Sequence, residues 1–120
     1  MEKVVLIVED DTQNRKLFRD LLGVKGYTTL EATNGKEGVE MAKTAKPHLI
    51  LMDIQMPVMD GLKAFEILKK DPETRDIPVV ALTSYAMKGD RERLLEAGFA
   101  AYISKPIDTR EFLKKVAQYV

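Results

Sequence analysis

The chain predicts one α/β domain: a parallel five-stranded sheet built from five successive strand–helix units, with helices covering both faces. Three observations support this. Five short segments read as strands, the second of them weaker, and Val4 to Val8, Leu49 to Met52 and Val79 to Leu82 are apolar and continuous enough to be buried on both faces. The segments after them carry apolar residues at helical spacing. Helical crossovers between strands this short imply parallel pairing with right-handed connections.

In order, Val4-Val5-Leu6-Ile7-Val8 is the first strand, and it runs into Glu9-Asp10-Asp11. Residues Thr12 to Lys25 form a helix capped by Asp11 or Thr12, with Leu17, Phe18, Leu21 and Leu22 as its apolar stripe and Gly26 as its stop. Thr28 to Ala32 is a weaker strand. Asn34-Gly35 reads as a turn before a helix over Lys36 to Ala45, with Val39 and Ala42 inward and Pro47 as the stop. The third strand begins at Leu49 and meets a carboxylate at Asp53. Pro57 and Asp60-Gly61 then break the chain before a helix over Leu62 to Lys70, with Leu62, Phe65 and Leu68 on one face. Pro78 to Thr83 is a buried strand, and Met87 to Ala97 a helix whose only large aliphatic pair is Leu94 and Leu95. Ala101-Tyr102-Ile103-Ser104 is the last strand, followed by Lys105-Pro106. Asp108 to Val120 is the last helix, with capping-box spacing at Asp108 and Glu111 and an apolar face of Phe112, Leu113, Val116 and Val120.

Composition narrows the function. The chain's 120 residues fit one domain spanning 1–120, with no linker, repeat or effector domain expected. Lys+Arg and Asp+Glu both number 19, which argues against direct nucleic-acid binding, whose affinity rests on excess positive charge. There is no cysteine, so disulfide frameworks, thiolate zinc sites and thiol catalysis are excluded, and the single His48 cannot build a histidine metal cluster. No apolar run approaches membrane-spanning length, and the strand pattern starts at Val4, leaving no room for a signal peptide. The expectation is a cytoplasmic protein that does not bind membranes.

In an open parallel sheet, ligands bind beyond the carboxyl ends of the strands. Those ends carry Glu9, Asp10 and Asp11 on the first strand, Asp53 on the third, Thr83 on the fourth and Lys105 on the fifth. Taken singly, each has a structural reading: Asp10 or Asp11 as a helix cap, Thr83 as a β-former, Lys105 as a solvated loop residue. Their conjunction at four strand ends is what points to chemistry. Crowded carboxylates raise one another's pKa values, and a hard divalent cation such as Mg²⁺ relieves the repulsion while keeping positions open for water or phosphate. Asp53 is then a candidate nucleophile for an aspartyl phosphate, with Thr83 and Lys105 available to a phosphoryl group.

These segments resemble the receiver domain of bacterial two-component response regulators. The resemblance rests on Val8-Glu9-Asp10-Asp11, Leu51-Met52-Asp53-Ile54-Gln55-Met56-Pro57-Val58-Met59-Asp60-Gly61, Ala81-Leu82-Thr83-Ser84 and Ala101-Tyr102-Ile103-Ser104-Lys105-Pro106, in the family's order and spacing. It implies a flavodoxin-like (CheY-like) sheet of order 2-1-3-4-5. It implies Asp53 as phospho-acceptor, Asp10 as direct Mg²⁺ ligand, Glu9 acting through water, the Gln55 backbone carbonyl as a further ligand, and Thr83 and Lys105 on the phosphoryl group. Asp11 then falls to helix capping. A cis Lys105-Pro106 bond is implied as well.

The resemblance further implies a switch: Thr83 moves toward the phosphate, Tyr102 turns inward, and the surface of the fourth helix, fifth strand and fifth helix changes. Lys88, Tyr102 and the last helix become contacts for a downstream protein target. The first helix, around Asn14, Arg15 and Phe18, offers a docking surface for a sensor histidine kinase or histidine phosphotransferase, with core packing the equal alternative for Phe18. Gln55 and Tyr85 lie where relatives tune hydrolysis. A monomer is the expected state, with phosphorylation-dependent dimerisation left open.

Three other function classes compete. Haloacid dehalogenase-type phosphatases also use a strand-end Asp, but they usually carry a second Asp two residues on, where this chain has Gln55. A nucleotide-binding module would want a glycine-rich first turn, and here that turn is acidic. A receiver that signals without phosphate would not need the full set of Glu9, Asp10, Asp53, Thr83 and Lys105.

Overall fold

Each strand divides its side chains between two cores. In β1 (Val4–Val8), Val5 and Ile7 enter one hydrophobic cluster while Leu6 and Val8 enter another on the opposite face. The structure, a computed structural model, describes residues 2–56, 58–84 and 90–120. The order continues α1 (Thr12–Val24), β2 (Thr28–Ala32), α2 (Gly35–Ala45), β3 (Leu49–Asp53), α3 (Gly61–Lys70), β4 (Val79–Thr83), α4 (Asp90–Ala97), β5 (Ala101–Ser104) and α5 (Thr109–Tyr119). The five strands pair in parallel in the order β2-β1-β3-β4-β5, as the resemblance implies.

One face is covered by α1 and α5, where Phe18 and Leu22 meet Phe112 and Val116. Phe18 and Phe112 stack with centroids 5.2 Å apart. The other face carries α2, α3 and α4, with Val39, Ala42, Phe65, Leu68 and Leu94 inside. The short α4 gains an anchor that its own stripe does not show. Phe99, just after Gly98 at φ +115°, stacks on Phe65 of α3 at 3.8 Å.

Several helix starts differ from expectation because a capping residue precedes them. Asn34-Gly35 and Asp60-Gly61 are not turns but helix starts. Asn34 caps α2 through Glu37 N–H, and Asp60 caps α3 through Lys63 N–H. The glycines serve close packing: a Cβ at Gly35 would overlap Met59 O, and one at Gly61 would overlap Asp53 O. Asp108 likewise caps α5 and does not begin it, and Asp11 caps α1. Helix α1 ends at Val24, with Lys25 as its cap and Gly26 at φ +85°. Lys46, left-handed at φ 46°, ends α2 before Pro47. Strand β4 starts one residue after Pro78, whose carbonyl accepts Ile50 N–H.

Three residues assigned to apolar stripes lie outward: Leu17, Leu62 and Leu95 are 41%, 48% and 41% exposed. His48 is structural, its Nδ1 accepting Val4 N–H at 3.0 Å. The expected start of α4 at Met87, the chain break at Pro57, and the roles suggested for Tyr85 and Lys88 lie outside the described residues.

Candidate active site

The two-residue period of the strands decides which end residues meet. In β3, Leu49 and Leu51 face α1 and α5, so Asp53 falls on that side. In β1, Val5 and Ile7 do the same, which sends Glu9 there too. In β5, Ala101 and Ile103 do so, and Lys105 follows in phase. The parity is borne out by distance: Lys105 Nζ lies 2.6 Å from Glu9 Oε1 and 3.2 Å from Asp53 Oδ2. Thr83 and Tyr102 are out of phase with this set. Thr83 pairs with Ser104 in the ladder and is buried, and Tyr102 packs against the α2–α4 core.

Both oxygens of Asp53 are held. Oδ2 faces the Lys105 ammonium, and Oδ1 accepts Gln55 N–H at 3.1 Å. Glu9 is fully buried, and among the described residues no donor reaches its Oε2. Asp10 is exposed, and carboxylate oxygens of Glu9, Asp10 and Asp53 all lie within 4.8 Å of one another. Asp11 stands apart as a cap, accepting Gln13 N–H at 2.8 Å and Asn14 N–H at 3.1 Å. The Lys105–Pro106 bond is cis, as implied.

The electrostatics follow from crowding. Burial pushes Glu9 from its ordinary 4.5 up to about 8; a hydrogen bond to Asp53 and its charge add to the rise, while Lys105 opposes it. Burial works against the Lys105 charge, but Glu9 and Asp53 outweigh it and hold the ammonium above its usual range. The site therefore keeps its lysine charged, and this one ammonium lies among three acids. An all-oxygen set with an undonated buried oxygen suits a hard divalent ion.

A sequence profile described as the response regulator receiver domain matches residues 5–117. The chain belongs to this family. It is 49% identical over 120 residues to the polar-differentiation response regulator DivK of Brucella anthropi, covering all of this chain and 98% of that one. The DivK protein of Brucella ovis is 48% identical with the same coverage. Among solved structures, the receiver domain of a Pseudomonas aeruginosa sensor histidine kinase is 31% identical with a TM-score of 0.90, covering 99% of this chain and 98% of that one. That structure holds a magnesium ion coordinated in its active site cleft. The receiver domain of a Syntrophus aciditrophicus histidine kinase is 34% identical with a TM-score of 0.88, covering 98% of this chain and 89% of that one.

Receiver domains of two-component response regulators are phosphorylation-dependent signalling switches, and this chain is one of them. Membership brings interaction with histidine kinases or downstream targets, and an acidic site of the kind found here. No helix among the described residues is long and apolar enough to cross a membrane.

Of the two readings of Phe18, core packing holds: it is 1% exposed, while Leu17 turns outward beside Asn14. These two border a cleft of about 420 Å³ that also reaches Ser84, Lys105, Pro106 and Ile107. Arg15, expected on the docking surface, is folded back onto the acidic turn: its guanidinium donates to the carbonyls of Glu9 and Asp10. The sequence signal for that was its place five residues after Asp10, one turn into the following helix.

Proposed function

We propose that this chain is one receiver domain over residues 1–120 that accepts a phosphoryl group from a phosphohistidine partner onto Asp53, with Mg²⁺ bound by the acidic pair. The observation that carries this is the Lys105 ammonium shared between Glu9 and Asp53. It places a fixed positive charge beside the candidate nucleophile, where phosphoryl transfer needs it.

In the transfer, an Asp53 carboxylate oxygen attacks phosphorus and an O–P bond forms. The P–N bond to the donor imidazole breaks, and its electron pair leaves on nitrogen. Lys105 balances charge on the phosphoryl oxygens, and the Thr83 hydroxyl donates to one of them. The N–H of Gln55 fixes the carboxylate rotamer through Oδ1. Asp10, Glu9, Asp53 and the Gln55 carbonyl would hold Mg²⁺, which when bound would neutralise phosphoryl charge. Hydrolysis of the acyl phosphate by water resets Asp53, so the chain acts only on itself and is no classical enzyme.

Thr83 and Tyr102 lie out of phase with the acids, on the side of α4. This supports a relay in which Thr83 follows the phosphate and Tyr102 turns inward, altering the α4–β5–α5 face for a protein target. The cleft between α1 and the β5–α5 turn opens beside Lys105, which fits entry of a kinase or phosphotransferase helix. A cytoplasmic setting, a resting monomer and no contact with nucleic acid or membrane complete the reading.

The test is intact mass after incubation with Mg²⁺ and acetyl phosphate. One phosphoryl adduct is expected, absent in Asp53→Asn and in the presence of chelator. An adduct that persists in Asp53→Asn would move the acceptor elsewhere.

A further inference from the structure

Arg15 makes three polar contacts from one guanidinium. Its Nη1 donates to Glu9 O at 3.0 Å and to Asp10 O at 3.2 Å. Its Nε lies 3.5 Å from Glu31 Oε1 in β2, and the side chain is only 16% exposed. Glu31 is held from its other side by Arg19 Nη1 at 3.4 Å. Ladder pairing at the end of β1 uses Glu9 N–H, which donates to Ala32 O. The carbonyls of Glu9 and Asp10 point the other way, to Arg15.

We infer that Arg15 is a positioning residue for the acidic pair. It holds the backbone of Glu9 and Asp10 so that the exposed Asp10 carboxylate stays within reach of Glu9 and Asp53. It thereby sets Mg²⁺ affinity while touching neither the metal nor the phosphoryl group. The inference rests on the magnesium reading of the site proposed above.

Two effects of opposite sign decide the outcome. A positive charge near a cation site weakens binding by repulsion. Here Glu31, which also faces Arg19, offsets part of that charge, and the geometric effect prevails. The fork meets both carbonyls through Nη1 and the Glu31 carboxylate through Nε; a lysine ammonium is a single point on a flexible stem and does not span the two sets in a fixed geometry. Residues that orient metal ligands without binding the metal typically change affinity by about 10–100-fold when removed.

The experiment is calorimetric titration of Mg²⁺ into wild type, Arg15→Ala, Arg15→Lys, Glu31→Gln and Arg19→Ala, with phosphorylation by acetyl phosphate followed across Mg²⁺ concentrations. Arg15→Ala is expected to bind Mg²⁺ about 10-fold more weakly, with Arg15→Lys close to it. Glu31→Gln should lose several-fold, and Arg19→Ala should stay within about twofold. At saturating Mg²⁺ the Arg15→Ala phosphorylation rate should return to that of wild type.

Unchanged affinity in Arg15→Ala, or full recovery in Arg15→Lys, would overturn the inference. So would a rate deficit that excess Mg²⁺ does not cure, because Arg15 would then act on the reacting atoms. If Arg15→Ala fails to fold, Glu31→Gln carries the test, since it loosens the fork from a half-exposed position. Wild type that binds no Mg²⁺ would sink the magnesium reading and this inference together, whereas wild-type binding with an unmoved Arg15→Ala sinks this inference only.

Discussion

Lys105 Nζ sits 2.6 Å from Glu9 Oε1, so the last strand of the sheet is clamped to the first across 96 residues of sequence. The contact is charge-assisted and nearly dry, so its short-range attraction is set against the cost of taking both groups out of water. It also leaves Glu9 in competition with Asp53 for one cation.

That competition sets a pH dependence. The folded chain raises Glu9 from 4.5 to about 8, so between these values it holds a proton that the unfolded chain has released. Stability from this group is complete below about pH 4.5 and falls as pH rises through about 8. In chelator, the loss attributable to Glu9 should be on the order of 2–4 kcal/mol across the window. Urea midpoints measured against pH, compared with Glu9→Gln, check it: the variant should lack that slope. Mg²⁺ affinity should rise over the same window, because metal takes the deprotonated carboxylate.

Gly61 bears directly on the nucleophile. Its N–H donates to Ile54 O at 3.0 Å, and a Cβ there would overlap the Asp53 carbonyl. Gly61→Ala should destabilise the fold by about 1–3 kcal/mol, as overpacking does, and slow phosphorylation of Asp53. Chemical denaturation together with the acetyl phosphate rate measures both effects. An unchanged midpoint would show that the β3–α3 segment gives way freely.

Val58 has the opposite sign. It adopts φ +69°, a region that β-branched residues avoid, and it is 81% exposed, so no packing depends on it. Val58→Asn should stabilise the protein by about 1 kcal/mol, because Asn tolerates this conformation. A thermal melt that falls instead of rising would contradict it.

Tyr102 is flanked by two cations from different helices. Arg91 Cζ of α4 lies 5.3 Å from its ring centroid, and Lys115 Nζ of α5 lies 5.5 Å away. At partly exposed sites each such contact contributes about 0.5–1 kcal/mol. Arg91→Ala and Lys115→Ala should each cost that little in stability while freeing the ring. Faster exchange in the Tyr102 ring signals of the NMR spectrum is the expected sign.

Much of the site was legible in the chain order. Glu9, Asp53 and Lys105 follow apolar runs whose alternation places them on one face, and the contact distances agree. The helical stripe alone left the cap open between Asp11 and Thr12; the resemblance singled out Asp11, and its side chain does accept two N–H groups. The fold-back of Arg15 onto the Glu9 and Asp10 carbonyls was not legible, because a residue's place on a helix locates a side chain's root but not where a long chain bends. Leu17, Leu62 and Leu95 were placed inside for a related reason: composition marks them as apolar, but a short helix has room on the sheet for only part of its stripe.

Local sequence determined the ten elements, their order and the acidic, hydroxyl and ammonium groups at the strand ends, because strand and helix periods are written in nearest neighbours. Tertiary structure decided what those neighbours cannot encode. The glycines at 35 and 61 became close contacts and not turns, Phe99 became an anchor for α4, and Arg15 became a bridge between α1 and β2. Each depends on the distance between segments far apart in the chain. That distance exists only once the sheet has set its register and brought the strand ends together.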